Sequence, residues 1–564
     1  MRRIDILLLP LSKQMPFFII ILMMVFQNSL FAFHSWTVTN LFYFLTLSFL
    51  YSYIISSVVL LSNSKILKGL FYLFGVTICV VNVYLYKYFS SRISPNIFIL
   101  LGETNTNEAL EFTYNYLLNT FSFIIIGLAS FIVMVIVALE RFLNQHRVSK
   151  MLLYIQLFIV TCGIYSFTCF CEIFKCNDTI QIDRWIEYNK LQPMDNISNL
   201  IYCFYDLHLS GLVLDRAEES TVKAMGQLST TNADSLSLIV VIGESYIKWH
   251  SSLYGYSSST TPHLQNELDE GRLVVFTDVL SPYNMTSQVI RNLFSTNCIS
   301  DGENWADYPA FPAIFRKAGY EVSFWDNQYS STSKESFDFS LNSFIHSQKI
   351  SRLCYDYVNT RNYEFDDEIV DASFAQRGSA KRNQLAIYHL MGQHFQYYCR
   401  YPHGGEFDYF TADSISNNAT YLTRAKRQLI ADYDNATRYN DYVLNKIIDH
   451  YRDKTAILVY FSDHGDEVYD YQDMFGRNWD RQPSSLTLRY QYEVPFVVWY
   501  SECYGYKYSH IVNRLNKVAK VPLSLDNICH FLFHLGCVKS IYYNSKLDIL
   551  SSDYKYPKRV VNVQ

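Results

Sequence analysis

The sequence predicts a chain in two parts, five transmembrane helices followed by an α/β domain on a mainly parallel sheet. Three observations carry that expectation. Apolar residues of the first 172 positions gather into runs long enough to cross a bilayer, which takes about 20 residues per helix. From Leu236 onward, short Ile/Val-rich runs alternate with helical stretches. Gly and Pro number only 20 and 13 in 564 residues, too few for a collagenous or low-complexity chain.

The five runs are residues 16–33, 38–61, 69–88, 117–139 and 151–170, with Pro16 at a helix start that tolerates it. Lys87 is the one charged residue among them, near an end where its ammonium can snorkel to the interface. Residues 16–33 lack a following small-residue cleavage site and read as a retained anchor rather than a signal peptide. With a cytoplasmic N-terminus, the inner segments carry Arg2, Arg3, Lys13, Lys65, Lys68, Arg141, Arg147 and Lys150. The outer ones carry only Lys87 and Arg92, and eight against two follows the positive-inside rule. Everything after Cys171 then lies outside the cytoplasm.

The expected layout is a transmembrane domain over 1–171, a connector over 172–235 and a catalytic domain over 236–564. Within the connector, residues 197–214 mix apolar positions with Tyr205, Asp206 and His208 and read as too broken to span. An amphipathic helix in the interface plane and a buried helix of the next domain both fit.

Residues 236–242 are almost continuously apolar and close on Gly243, the pattern of a buried parallel strand. Similar runs recur at 273–279, 320–325, 384–390, 456–461 and 494–500, with helical stretches at 310–318 and 421–451 between them. A net charge of −5 argues against a dedicated nucleic-acid binder. Twelve cysteines in so long a chain do not make a small disulfide scaffold.

Open α/β sheets bind ligands beyond the carboxyl ends of their strands. Run 236–242 ends in Gly243-Glu244-Ser245, and run 456–461 leads into Ser462-Asp463-His464-Gly465-Asp466-Glu467. Two carboxylates and an imidazole can meet there, an oxygen and nitrogen set without thiolate that suits catalytic zinc, or manganese. Thr286 precedes an apolar stripe at helical spacing, which puts its hydroxyl at a helix N-terminus where anions are attracted. A hydroxyl there, bound to a divalent cation, can attack phosphorus. Each element also has an ordinary reading: Thr286 as a cap, Asp463-His464-Gly465 and Gly243-Glu244-Ser245 as turns. Their joint placement at strand ends favours chemistry.

Val241-Ile242-Gly243-Glu244-Ser245, Thr260-Thr261-Pro262, Trp325-Asp326-Asn327-Gln328, Tyr388-His389-Leu390-Met391-Gly392-Gln393-His394 and Ser462-Asp463-His464-Gly465-Asp466-Glu467-Val468-Tyr469 together resemble the phosphoethanolamine transferases of Gram-negative envelopes. The resemblance implies an alkaline phosphatase/sulfatase-like catalytic domain, periplasmic and carried by a multi-pass inner-membrane anchor. It implies one zinc ion bound by Glu244, Thr286, Asp463 and His464, with Thr286 as nucleophile and His394 near the bound phosphate. Phosphatidylethanolamine would be the donor and a lipopolysaccharide-type glycolipid, lipid A or core sugar, the acceptor. The Asp-Glu-Val-Tyr continuation is closer to the branch that modifies core sugars. Lipid A-modifying members carry a further histidine after Asp-His-Gly where Asp473-Met474-Phe475-Gly476-Arg477 has none, which leaves a second metal open. The family's cysteine-flanked segment is Tyr329-Ser330-Ser331-Thr332-Ser333 here. Cys298, Cys354, Cys399, Cys503, Cys529 and Cys537 are left to pair if an oxidising compartment allows. Asn284-Met285-Thr286 is a glycosylation sequon, and a glycan there would obstruct the nucleophile. The rival readings are a phosphoglycerol transferase of the lipoteichoic-acid or glucan-modifying type, a sulfatase-like hydrolase, and a non-catalytic glycolipid-binding scaffold.

Overall fold

Three of the expected spans are single long helices in the computed structural model: α2 (Val38–Ser62), α3 (Lys65–Phe89) and α4 (Lys150–Phe170). The first span is shorter than expected, because α1 (Met15–Phe26) ends before a separate turn of helix at Asn28–Phe31. The structure describes residues 3–31, 37–89, 149–177, 193–302, 304–328, 348–376, 383–477, 483–556 and 559–561, with scattered positions within 92–98, 125–138 and 181–191. The expected span 117–139 and the Tyr329–Ser333 stretch lie outside the described residues, isolated positions apart.

Residues 197–214 lie within one continuous helix, α5 (Asn196–Met225), as both expected readings of the connector required. Among the described residues four helices are long and apolar enough to cross a membrane: α2, α3 into Lys87, α4 on to Lys175, and α5. Thr37 and Ser149 cap α2 and α4 by accepting from the Asn40 and Leu152 N–H groups. α2 and α4 are joined by a buried Thr46 Oγ1–Ser166 Oγ hydrogen bond of 2.8 Å, the polar contact that apolar surroundings reward. By compactness the chain divides within α5 into Met1–Leu212 and Val213–Val563.

The second unit is built on a seven-stranded sheet of β1 (Ser237–Gly243), β2 (Leu273–Phe276), β3 (Glu321–Asp326), β4 (Tyr357–Val358), β5 (Gln384–His389), β6 (Ala456–Ser462) and β7 (Phe496–Tyr500). Their order is β2-β7-β6-β1-β5-β3-β4. β1, β3, β4, β5 and β6 pair in parallel. β7 runs against its neighbours β6 and β2, so it alone opposes the common direction.

All seven residues of β1 are buried. Its alternate side chains feed two cores, because successive Cβ atoms point to opposite faces. Leu238, Val240 and Ile242 join α6 (Thr286–Phe294) through Val289, Ile290 and Leu293, and α7 (Phe311–Lys317) through Phe311 and Phe315. Ile239 and Val241 face α8 (Arg424–Tyr451), which presents Tyr439, Val443, Leu444 and Ile447. Among the described residues the twelve cysteines are free.

Candidate metal and phosphoryl-transfer site

Strand register sets the site. β1 and β6 pair with Gly243 opposite Ser462, so Glu244 and Asp463 leave the sheet side by side. The Asp463 N–H donates to the Gly243 carbonyl at 3.1 Å. Two glycines make room. A Cβ on Gly465 would meet the Tyr490 carbonyl oxygen at 2.0 Å, and one on Gly392, where φ is +49°, would meet the Glu244 nitrogen at 2.8 Å. α6 begins at Thr286, with Met285 as its cap, so the hydroxyl sits at the positive end of the helix dipole.

Glu244, Asp463 and His464 are fully buried, and their ligand atoms lie within 4.8 Å of one another. His464 Nδ1 is 2.7 Å from the Gly465 carbonyl oxygen. A carbonyl only accepts, so Nδ1 carries the proton and Nε2 presents a lone pair. That lone pair lies 3.1 Å from Asp463 Oδ2 and 3.3 Å from Glu244 Oε1. Asp463 Oδ1 accepts from the His464 and Ser245 N–H groups, whereas Oδ2 is shielded from water without a hydrogen-bond partner. Two carboxylates and an imidazole nitrogen thus converge in a buried pocket, an environment that a cation satisfies. Burial and the facing Glu244 carboxylate push Asp463 well above the usual carboxylate range. Burial and the Arg477 guanidinium push His464 down, which keeps its lone pair available.

The Thr286 hydroxyl donates to Glu244 Oε2 at 3.0 Å and lies 3.2 Å from His464 Nε2. The four residues named as ligands from sequence therefore stand together. The set fits a divalent cation: two carboxylates, one imidazole and one hydroxyl, all oxygen or nitrogen. His394 follows β5 and is half-buried, its Nδ1 shielded and unpartnered. Burial, reinforced by Arg400 and Arg477 against the opposing pull of Glu244, lowers His394 to about 4. Its ring is neutral at neutral pH.

Two residues at the site carry no sequence-derived role. Gln328 Nε2 donates to Glu244 Oε2 at 3.3 Å and to the Leu390 carbonyl at 2.8 Å. Arg477 Nη1 donates to the Asn284 carbonyl at 3.0 Å and reaches the His464 ring. Gln328 stands in a motif already singled out, immediately beyond a strand end, and that position was its signal. Arg477 arrives through a hairpin and has no local signature. Asn284 is buried, and its Nδ2 donates to Gln491 Oε1 at 2.8 Å, so the sequon nitrogen is engaged inside the protein. Gln491 Nε2 in turn donates to the buried Glu467 at 2.7 Å.

A parallel sheet whose adjacent strand ends hold a buried carboxylate pair, a histidine and a helix-start threonine defines a hydrolase- or transferase-type α/β domain. The family model described as Sulfatase matches residues 237–535, and the chain belongs to the sulfatase family. More particularly, it is similar to phosphoethanolamine transferase EptC of Escherichia coli, with 26% identity over 427 residues, 74% of this chain and 71% of that protein. The solved C-terminal periplasmic domain of EcEptC from Escherichia coli covers 60% of this chain and 93% of its own, at 25% identity and a TM-score of 0.51. That domain has also been solved in complex with Zn, with 24% identity and a TM-score of 0.51 to this chain. The integral membrane protein lipooligosaccharide phosphoethanolamine transferase A (EptA) from Neisseria meningitidis matches 95% of this chain and 98% of its own, at 18% identity and a TM-score of 0.61. That last likeness is one of fold.

Proposed function

We propose that the protein is a membrane-anchored phosphoethanolamine transferase that moves its group from phosphatidylethanolamine to a lipopolysaccharide-type glycolipid through a phosphorylated Thr286. The observation that carries the reading is the Thr286 hydroxyl held between Glu244 Oε2 and His464 Nε2, at 3.0 and 3.2 Å. Similarity to proteins named phosphoethanolamine transferases supports the identity of the group.

Glu244, Thr286, Asp463 and His464 would hold one zinc ion, with manganese as the other candidate. Bound there, the ion supplies the positive charge that acidifies the Thr286 hydroxyl and offsets phosphoryl charge. Thr286 Oγ1 attacks phosphorus, the bond to the diacylglycerol oxygen breaks, and that oxygen takes up the proton Thr286 gives up. An acceptor hydroxyl or phosphate then attacks phospho-Thr286, and Oγ1 regains a proton as it leaves. The neutral His394 ring donates an N–H to a phosphoryl oxygen. The start of α6 holds the nucleophile in line, and positioning of this kind supplies much of phosphoryl-transfer catalysis.

The anchor, in this reading, comprises five spans with a cytoplasmic N-terminus, in the inner membrane of a Gram-negative cell. It keeps a periplasmic domain over residues 236–564 beside two substrates that cannot leave the bilayer.

Mass spectrometry of the full chain after incubation with phosphatidylethanolamine tests the reading. A phosphoethanolamine adduct on Thr286 is expected, and Thr286→Ala removes both adduct and transfer while the thermal melt is kept. A glycerol-phosphate adduct would make it a phosphoglycerol transferase. An unmodified Thr286 in a protein that takes up no zinc would leave only a scaffold.

A further inference from the structure

We propose that Arg477 is a phosphoryl-binding residue of this site, released for that task when a cation takes the His464 lone pair; the inference rests on the transferase reading above. The chain after β6 folds back on itself. Glu467 and Gly476 exchange backbone hydrogen bonds of 3.1 and 2.8 Å, with a bridge between Val468 and Phe475. Arg477, the next residue, is thereby returned to the start of the hairpin, beside His464.

Its Nη1 makes three contacts. It donates to the Asn284 carbonyl at 3.0 Å, lies 3.4 Å from His464 Nδ1, and meets His464 Nε2 at hydrogen-bonding distance. Nδ1 already carries a proton directed at Gly465, so the productive contact is with Nε2. Nε2 has one lone pair, and it is the same pair that faces Asp463, Glu244 and Thr286. It cannot serve a cation and a guanidinium together. The buried carboxylates Glu244, Asp463 and Asp466 lie close enough to feel the Arg477 charge, which holds the guanidinium at the site.

When a cation occupies the lone pair, Arg477 keeps its tether to Asn284, two residues before the nucleophile. The N–H it gave to Nε2, an atom 3.2 Å from the Thr286 hydroxyl, is then available to a group carried on that hydroxyl. A planar guanidinium matches phosphate oxygens two at a time, which a lysine ammonium does not. Arg477 would thus contact the phosphoryl oxygens on the side away from the cation. There it stabilises charge on the group in transit.

The test uses the full chain in detergent, as wild type, Arg477→Gln and Arg477→Lys. Zinc and inorganic phosphate are titrated separately by calorimetry, and formation of the Thr286 adduct is timed in a single turnover. Arg477→Gln is expected to weaken phosphate binding about tenfold or more and to slow adduct formation roughly 10²–10³-fold. Its zinc affinity stays equal or rises, because a competitor for Nε2 is gone. Arg477→Lys retains part of both effects, and it decides the matter if the Gln variant does not fold. The proposal is overturned if phosphate affinity stays within about twofold of wild type. It is also overturned if zinc affinity falls in step with phosphate, which would mean Arg477 merely props the ligands. A wild-type chain that forms no adduct would instead sink the transferase reading, while the phosphate and zinc titrations still decide Arg477.

Discussion

Asp463 Oδ2 faces His464 Nε2 at 3.1 Å inside a solvent-free pocket, where Oδ2 has no hydrogen-bond partner. Both belong to consecutive residues of one turn, so the confrontation is built into the backbone and is not relieved by a rotamer change elsewhere. Glu244 Oε1 adds a third acceptor at 3.3 Å from the same nitrogen. A fold retains such an arrangement when something positively charged completes it.

Metal removal should therefore cost stability. A cation that binds only the folded state adds RT ln(1 + [L]/Kd), about 4 kcal/mol at a thousandfold excess over Kd. Melting with chelator and then with restored zinc is expected to show a fall and a recovery. Asp463→Asn should melt higher than wild type in chelator, since it removes one of two facing carboxylates, and should no longer respond to zinc. A chelator-insensitive wild type would contradict this account.

Gly465 tests the backbone fit. A methyl group there must displace the Tyr490 carbonyl, which is main chain and cannot swing aside. Gly465→Ala is expected to lose roughly 3 kcal/mol or more in denaturant melts, and to lose zinc affinity. Gly405→Ala meets nothing within 4 Å and serves as the silent control. Equal melts for the two variants would refute the packing argument.

His250 gives a pH signature away from the metal ligands. Its Nδ1 lies 2.6 Å from Asp434 and its Nε2 2.8 Å from Asp470, so both nitrogens donate and the ring is cationic. Burial alone would lower its pKa, but Asp470 and Asp434 carry it to about 10. A raised folded-state value means the stabilisation is complete below roughly pH 6.5 and fades as pH climbs through about 10. Burial also holds Asp434 above the usual carboxylate range, which subtracts from the gain. His250→Gln should cost roughly 3–5 kcal/mol at pH 6.5 and below, with the gap to wild type narrowing from there as pH climbs towards about 10 in thermal melts. A gap that stays constant to pH 10.5 would rule the ion pair out as its source.

Gln328 orients Glu244 without touching the expected cation position. Gln328→Ala frees Glu244 Oε2 of one donor and leaves the Leu390 carbonyl unpaired, at about 1–3 kcal/mol for a buried group. Zinc affinity should drop measurably while Thr286 still becomes modified, as read by calorimetry and mass spectrometry. Unchanged zinc affinity would show that the Gln328 contact is incidental.

The one-dimensional order of residues settled much of this protein. Unbroken apolar runs mark α2, α4 and the buried strands β1, β5 and β6, because burial on every side leaves no periodic polar trace. Glu244, Asp463 and His464 were legible as residues just past such runs, and Thr286 as the residue opening an amphipathic helix. The sequence also allowed two outcomes that only packing resolved. Asp206 and His208 look like an interruption locally, yet α5 runs through them, and the cysteines that an oxidising compartment would let pair are free. Tertiary structure alone decided that β6, more than two hundred residues along the chain, lies beside β1 with Gly243 opposite Ser462. It alone reversed β7, and it alone folded the 467–476 hairpin so that Arg477 comes back to His464. The physical reason is that hydrophobic spacing records how deeply each segment is buried, a local property. Which segments become neighbours is settled only when the whole core is packed at once.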